Sequence, residues 1–171
     1  MATKNRFPLL VLLAACLALG VVVLGGYVRL SQAGLGCPDW PGCYGHLSVP
    51  QQIDGGTGFH RQLEPAKAWK EMIHRYFAGT LGLLIGGIAI VAWRRRREYG
   101  QAVALPLALV ALVIFQALLG MWTVTWLLKP LVVTSHLLGG MTTLALLMWL
   151  ALRQGALLDP VEEPGPWRKW A

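Results

Sequence analysis

The sequence has 171 residues, of which 56% are hydrophobic and only 13% charged, and its formal net charge is +7. Since a soluble domain carries about 25% charged residues, this composition predicts an integral membrane protein. The basic excess does not indicate a nucleic-acid-binding protein, because four of the fifteen basic residues form one run, 94–97, directly after an apolar segment. Such a run is typical of a positive-inside membrane anchor. We therefore expect membrane lipid, and no nucleic acid, among the partners.

Four long uncharged runs predict four transmembrane helices, because a helix that rises 1.5 Å per residue crosses a ~30 Å hydrocarbon core in about 20 residues. Lipid offers no partner for free backbone groups, and the runs lack the alternation of barrel strands. The predicted fold is an all-α integral membrane protein, a four-transmembrane-helix bundle made of two helical hairpins. Residues 1–154 would form the bundle and residues 155–171 a polar cytoplasmic linker. The helices are expected at about 7–29, 72–93, 102–126 and 131–152, with an outer loop over 31–70.

Basic residues flank the predicted helices in three places. Lys4 and Arg6 precede the first helix, the run 94–97 follows the second, and Arg153 follows the fourth. If four helices alternate in direction, all three clusters fall on one side, which the positive-inside rule identifies as the cytoplasm. We therefore expect a multi-pass protein of the cell inner (plasma) membrane with cytoplasmic N- and C-termini.

Two histidines, His74 and His136, lie near the starts of the second and fourth predicted helices. Ionisable residues in membrane helices are rare and usually functional. Both helices would run inward from the outer surface, so the imidazoles would lie at similar depth and could hold a haem iron between facing helices. The alternative is that each histidine forms a hydrogen bond between helices. A weak internal repeat accompanies the pair, since a Leu-Gly dipeptide ending in Gly25 or Gly120 precedes each outer turn.

Three small residues follow His74 at successive i+4 steps, namely Ala78, Gly82 and Gly86. Residues with this spacing share one face of a helix. Such a face leaves a groove that a flat porphyrin could occupy, and it also suits close packing against another helix. The two interpretations are compatible.

Glu71 precedes His74 by three residues and therefore lies on the same helix face. A carboxylate next to a haem site could act as a base or stabilise developing positive charge. The alternative is an ion pair within the helix, with Arg75 or Lys67, which would contribute roughly 0.2–0.5 kcal/mol. The sequence lacks the second E-x-x-H motif of a di-iron bundle and the H-E-x-x-H motif of zinc metalloproteases.

Cys37 and Cys43 flank a short segment that contains proline and glycine in the outer loop. Because the outer side of the membrane is oxidising, a disulfide that closes this small loop is the first interpretation. A zinc site that adds His46 and His60 is the less favoured alternative. The C-x-x-C-H motif for covalent haem attachment is absent from the sequence.

Arg29 and Arg75 lie at the expected outer membrane boundary. Either side chain could neutralise haem propionates through bidentate contacts, or it could serve as an ordinary interfacial anchor. The residues alone give the two interpretations equal weight.

Three features in chain order carry a resemblance to a known family. Residues 26–45 read GYVRLSQAGLGCPDWPGCYG, residues 71–75 read EMIHR, and His136 follows near the start of the fourth predicted helix. In this order they resemble the first outer loop, the E-x-x-H-R motif and the fourth-helix histidine of the haem A synthases. The run C-P-D-W-P is the most specific part, and the resemblance spans essentially the whole chain.

The resemblance implies a membrane oxidoreductase that oxidises a ring methyl group of haem O to a formyl group, giving haem A for cytochrome oxidase assembly. It implies His74 and His136 as ligands of the haem iron and Glu71 as the catalytic carboxylate. Cys37 and Cys43 would form the outer-loop disulfide. Haem O is the expected substrate, with haem O synthase and an electron donor as further candidate partners.

Members of the family have about eight helices in two similar halves, so a haem b cofactor would belong to a second half that this sequence lacks. Three explanations stay open: a fragment, a half-length form that acts as a homodimer, or an inactive remnant. The basic end at 167–171 resembles the approach to another helix and favours a fragment. The alternative function is a non-catalytic b-type cytochrome subunit that passes electrons through a bis-histidine haem.

Overall fold

The computed structural model of the protein describes residues 6–52, 59, 61–96 and 103–154, and the predicted linker, 155–171, lies outside them. Within these ranges the regular secondary structure is helical, apart from one isolated bridge in the loop after the first helix. Each helix is long and apolar enough to cross a membrane, which confirms the predicted all-α membrane fold. The helices are α1 (Phe7–Leu30), α2 (Pro65–Arg94), α3 (Ala104–Thr125) and α4 (Pro130–Arg153).

The second helix begins at Pro65, seven residues before the predicted start at Met72. Pro65 occupies the first turn, where its fixed φ suits a helix and its missing N–H removes no hydrogen bond. Lys67 and Glu71 make this first part polar, so the apolar run marks only the later part of the helix. The loop between α1 and α2 is correspondingly shorter than predicted and covers residues 31–64.

The four helices form a closed ring in which α1 and α3 each contact both α2 and α4. Between the diagonal partners, α1 with α3 and α2 with α4, the described residues make no close backbone contact. α1 and α3 finish at the end of the bundle where α2 and α4 begin, and the α1–α2 loop covers this end. We call it the loop end.

An apolar core fills the half of the bundle away from the loop end. Because lipid is as apolar as leucine, helix association in a membrane depends on close packing, which small side chains permit. Ala14, Ala15 and Ala18 of α1 are buried in this core. The other helices contribute larger buried side chains, among them Leu81, Ile85, Ile88, Leu109, Leu147 and Leu150.

A second, smaller cluster of buried side chains lies in the α1–α2 loop and joins the loop to α2. Its centre is Tyr44, whose side chain packs edge-on against Phe59 and whose hydroxyl donates to Gln62 O at 3.0 Å. The described part of the loop is therefore a folded cap on the bundle. The buried members are Cys37, Cys43, Tyr44, Val49, Ala68 and Met72.

Gly36 allows the loop to touch the backbone of α2. A Cβ added at this position would lie 2.6 Å from Ala68 N and 2.6 Å from Lys67 C. Backbone atoms of a helix cannot move aside as a flexible side chain can, so any larger residue must push the loop away from α2.

We predict that Gly36→Ala destabilises the docked loop by about 1–3 kcal/mol, the usual cost of overpacking. The measurement is thermal unfolding of the detergent-purified chain, followed by tryptophan fluorescence. Gly26→Ala is the matched control, because a Cβ at Gly26 meets nothing within 4 Å. Equal melting temperatures for the two variants would contradict the docking of the loop on α2.

Candidate functional site

His74 on α2 and His136 on α4 lie on diagonal helices of the ring, near the loop end. His136 follows the start of α4 by six residues, which corresponds to about 9 Å along the axis. Gly25 and Gly120 lie five residues before the ends of α1 and α3, or about 8 Å. His74 lies against Gly25 of α1, and His136 lies against Gly120 of α3. The four helices thus bring two imidazoles and two glycines to one level of the bundle.

Each imidazole packs against the glycine of a neighbouring helix. A Cβ added at Gly25 would lie 3.0 Å from His74 Cε1, and one added at Gly120 would lie 3.5 Å from His136 Cε1. Glycine therefore lets the backbones of α1 and α3 come into contact with the imidazole rings. The same pairing occurs twice, with the same order of residues along the chain.

The two imidazoles differ in their hydrogen bonds. His74 Nδ1 is buried and has no hydrogen-bond partner among the described residues, and the ring approaches the backbone carbonyl of Val21. His136 Nδ1, in contrast, lies 2.7 Å from the side-chain amide of Gln116. Buried polar atoms are nearly always paired, so the unpaired nitrogen of His74 is an exception within the bundle.

The small residues of α2 that follow His74 are not tightly packed against neighbouring atoms. A Cβ added at Gly86 would meet nothing within 4 Å, and one added at Gly82 would make only an ordinary contact, 3.9 Å from Val113 Cγ1 on α3. Imidazole nitrogens are common axial ligands of haem iron. The two histidines and the glycines behind them therefore fit a haem.

Arg75 fastens the α1–α2 loop to α2. Its Nη1 donates to the carbonyl oxygens of Asp39 at 2.9 Å and Pro41 at 3.2 Å, and also to that of Gly42. Nη2 donates to Glu71 on the preceding turn of the same helix. Of the two roles left open by the sequence, the described contacts of Arg75 are those of an anchor, and they bind the loop rather than the membrane surface.

Glu71 is only 5% exposed although its side chain is ionisable. Oε1 pairs with Arg75 at 2.5 Å, and Oε2 accepts a hydrogen bond from Cys37 N at 3.0 Å. The intrahelical ion pair considered as an alternative is thus formed, with Arg75 and not with Lys67. Oε2 therefore connects α2 to the loop directly, and Oε1 does so through Arg75, one turn away from His74.

Cys37 and Cys43 form the predicted disulfide, with their Cα atoms 4.8 Å apart, and both are buried. The bond removes the two thiolates that a zinc site would need. His46 instead pairs through its backbone with Cys43, and His60 lies outside the described residues. Within the described ranges, no group of three or more His, Cys, Asp or Glu side chains could hold a metal ion.

Asp39 orders the chain beyond the disulfide. Tyr44 and Gly45 have positive φ angles of 52° and 78°, which turns both N–H groups toward one carboxylate. Asp39 Oδ1 accepts from Tyr44 N at 2.6 Å and Oδ2 from Gly45 N at 2.9 Å. Burial raises the pKa of the Tyr44 phenol, so its hydroxyl stays protonated and keeps its hydrogen bond at neutral pH.

An open cavity of about 410 Å³ lies at the loop end, between the loop and the end of α3. Arg61 is a basic residue beside this cavity, and it donates from Nη1 to Leu35 O at 2.6 Å. Arg29, predicted from the sequence, is exposed in the last turn of α1. Arg61 was not predicted, because nothing near position 61 shows that the loop folds back toward α3. The cavity is lined by Pro38, Arg61, Val124 and Leu127.

Gln116 is a second residue that was not predicted. It is 8% exposed in the middle of α3, and its amide contacts His136 and Gly140 of α4. The sequence does contain a signal for this role, because a side-chain amide in an otherwise apolar membrane segment usually forms a hydrogen bond to a neighbouring helix.

The family model described as cytochrome oxidase assembly protein, COX15-CtaA, matches residues 8–171. The chain belongs to this family. A protein named Heme A synthase from Shewanella oneidensis is 51% identical over 140 residues, which cover 78% of this chain and 41% of that relative. The protein of the same name from Rhizorhabdus wittichii is 28% identical over 180 residues, covering 90% of this chain and 51% of that relative. The family resemblance of the sequence is confirmed, and the chain spans about half the length of these relatives.

We predict that Arg75→Lys loosens the loop, because a lysine ammonium cannot hold three carbonyls and a carboxylate as the planar guanidinium does. A loss of about 2 kcal/mol would accelerate local hydrogen exchange about 30-fold. The measurement is hydrogen exchange of residues 37–46 by mass spectrometry of the detergent-solubilised chain. Arg96→Lys is the control, since Arg96 stacks on Trp93 at the other end of the bundle. Equal exchange in both variants would show that Arg75 does not anchor the loop.

Proposed function

We propose that this chain is the haem O-binding half of a haem A synthase, in which His74 and His136 hold the iron of the substrate while a ring methyl group is oxidised to a formyl group. The observation that carries the proposal is the pair of imidazoles, each backed by a glycine, at one level of a membrane bundle. Helical bundles build haem sites from side chains on facing helices. The names of the relatives support a synthase over an electron-carrying b-type cytochrome.

The two histidines would fix the position and the plane of the substrate ring. With ligands on the diagonal helices α2 and α4, α1 and α3 would flank the haem, and Gly25 and Gly120 would support the two imidazole rings. The apolar core on one side and the loop on the other would keep water away from the reacting group. The oxidant and the electrons would come from outside this chain, with haem b in a second half as the expected electron source.

Glu71 is the proposed catalytic carboxylate. It lies three residues before His74, hence on the same face of α2. Its carboxylate would accept a proton or stabilise positive charge that develops on the substrate. The contacts with Arg75 and Cys37 hold this carboxylate still at the loop side of the histidines.

The haem propionates would lie at the loop end, where basic side chains are available. Arg29 is the first candidate, because its side chain is exposed at the end of α1. Arg75 already donates to the loop and to Glu71, so a propionate contact would use its remaining N–H groups. Arg61, beside the cavity, is a third candidate.

The arginines at the end of the bundle opposite the loop support an orientation in the inner membrane. Arg94 ends α2 and Arg153 ends α4, so this end and both termini would face the cytoplasm. The loop end would face the outer side, where the disulfide is stable. Haem O synthase and an electron donor are the proposed partners, and a further segment or a second copy of the chain would supply the other half.

We predict that Glu71→Gln keeps haem binding but abolishes haem A formation. Glutamine keeps the size of the side chain and can still accept from Cys37 N, but it cannot take up a proton or carry negative charge. The assay uses a bacterial strain that makes haem O and lacks a haem A synthase. The strain expresses the chain joined to the remaining part of the Shewanella oneidensis relative, and the extracted haems are identified by mass.

Gly36→Ala is the control that separates chemistry from loop anchoring, since it weakens the docking of the same loop on α2 and leaves both Glu71 and Arg75 unaltered. Haem A formation that is lost in E71Q and retained in G36A supports a catalytic Glu71. Equal losses would mean that Glu71 only fastens the loop, and full activity of E71Q would remove it from the mechanism. No haem A from the unaltered joined protein would overturn the proposed function.

A further inference from the structure

The side-chain amide of Gln116 on α3 lies against Nδ1 of His136 on α4. With its NH₂ group turned toward the imidazole, the amide donates to His136 Nδ1 at 2.7 Å and to His136 O at 3.1 Å. In this orientation its oxygen accepts from Gly140 N at 3.0 Å. Gln116 therefore contacts both the imidazole and the backbone of the helix that carries it.

Gly139 makes room for this amide. A Cβ added at Gly139 would overlap the side chain of Gln116. Thr143, one turn further along α4, is buried and donates its hydroxyl to Gly139 O at 2.8 Å. The amide thus lies directly on the backbone of α4, and it is confined between that backbone and the imidazole.

The amide can offer Nδ1 either a donor or an acceptor, because a half-turn exchanges its nitrogen and oxygen at nearly the same positions. A neutral imidazole carries its proton on only one of its two nitrogens. When Nε2 binds a metal, the proton is on Nδ1, and a hydrogen-bond acceptor there fixes the ring. After this half-turn, Gln116 Oε1 would lie at the right place for this acceptor, and the amide would give up its favourable contacts with His136 O and Gly140 N, a loss that iron binding at Nε2 must outweigh.

We propose that Gln116 is a positioning residue for His136, in which its side-chain oxygen accepts the hydrogen of Nδ1 while Nε2 binds the haem iron. This inference rests on the proposed function and adds a difference between the two ligands. His74 Nδ1 has no partner among the described residues, so His136 is the firmly held ligand and His74 the more easily displaced one. An acceptor on Nδ1 also makes the imidazole a more basic ligand, which favours ferric iron.

The test is a titration of the detergent-purified full chain with haemin, followed by measurement of the reduction potential of the bound haem. Gln116→Leu should weaken haemin binding 10- to 100-fold, the usual effect of removing a hydrogen-bond partner from a metal-binding histidine, and it should raise the potential. Gln116→Glu keeps an acceptor at the same place, so it should bind more tightly than Q116L and have a potential below that of the unaltered chain.

Thr143→Val is the matched control. It removes a buried polar group next to Gly139 without touching the imidazole, so both the affinity and the potential should stay unchanged. Q116L with unaltered affinity and potential would overturn the positioning role, and so would Q116E that binds no better than Q116L.

Failure of the proposed function has a different signature. Haemin binding by the unaltered chain would then be insensitive to His136→Ala. If H136A loses the six-coordinate spectrum while Q116L keeps the affinity and potential of the unaltered chain, the assignment of the two histidines as iron ligands is supported and only the role of Gln116 is contradicted.

Discussion

Lipid supplies no hydrogen bonds, so each polar group within the membrane helices must find its partner inside the bundle. Most do so locally: the hydroxyls of Thr80 and Thr142 donate to carbonyls one turn back on their own helices. Gln116 and His136 satisfy one another across α3 and α4. Among the described side chains, His74 Nδ1 is the buried polar atom without a partner. The imidazole level is therefore where the pairing of polar groups inside the bundle is incomplete among the described residues.

Along its axis the bundle has three parts: an apolar core, the level of the two imidazoles, and the loop that covers the end. The half away from the loop is closed by apolar side chains that interlock around small alanines. At the imidazole level, the helices that carry the histidines are diagonal and make no close backbone contact. The cap above is a folded loop, closed by a disulfide and tied to α2 by Arg75 and Glu71. Since these two residues flank His74 on one rigid helix, the position of the cap and the position of the imidazole are coupled.

The sequence predicted the features that depend on composition and on short spacing. Uncharged runs of sufficient length define transmembrane helices, and two cysteines six residues apart form a disulfide. The start of α2 was predicted too late, because the turns after Pro65 are polar and hydropathy does not register them. The anchoring role of Arg75 depends on carbonyls up to 36 residues away in sequence, and the role of Gln116 depends on which helices face one another. Neither role can be inferred without the folded chain, although an isolated amide in an apolar run indicates a contact between helices.

The most direct test of the central claim is the electron paramagnetic resonance and absorption spectrum of the purified chain saturated with haem O. Two imidazole ligands would give six-coordinate, low-spin ferric iron, and His74→Ala or His136→Ala would each convert it to a five-coordinate, high-spin form. A low-spin spectrum that survives in both variants would show that the iron is held elsewhere, and it would contradict the assignment of these two histidines.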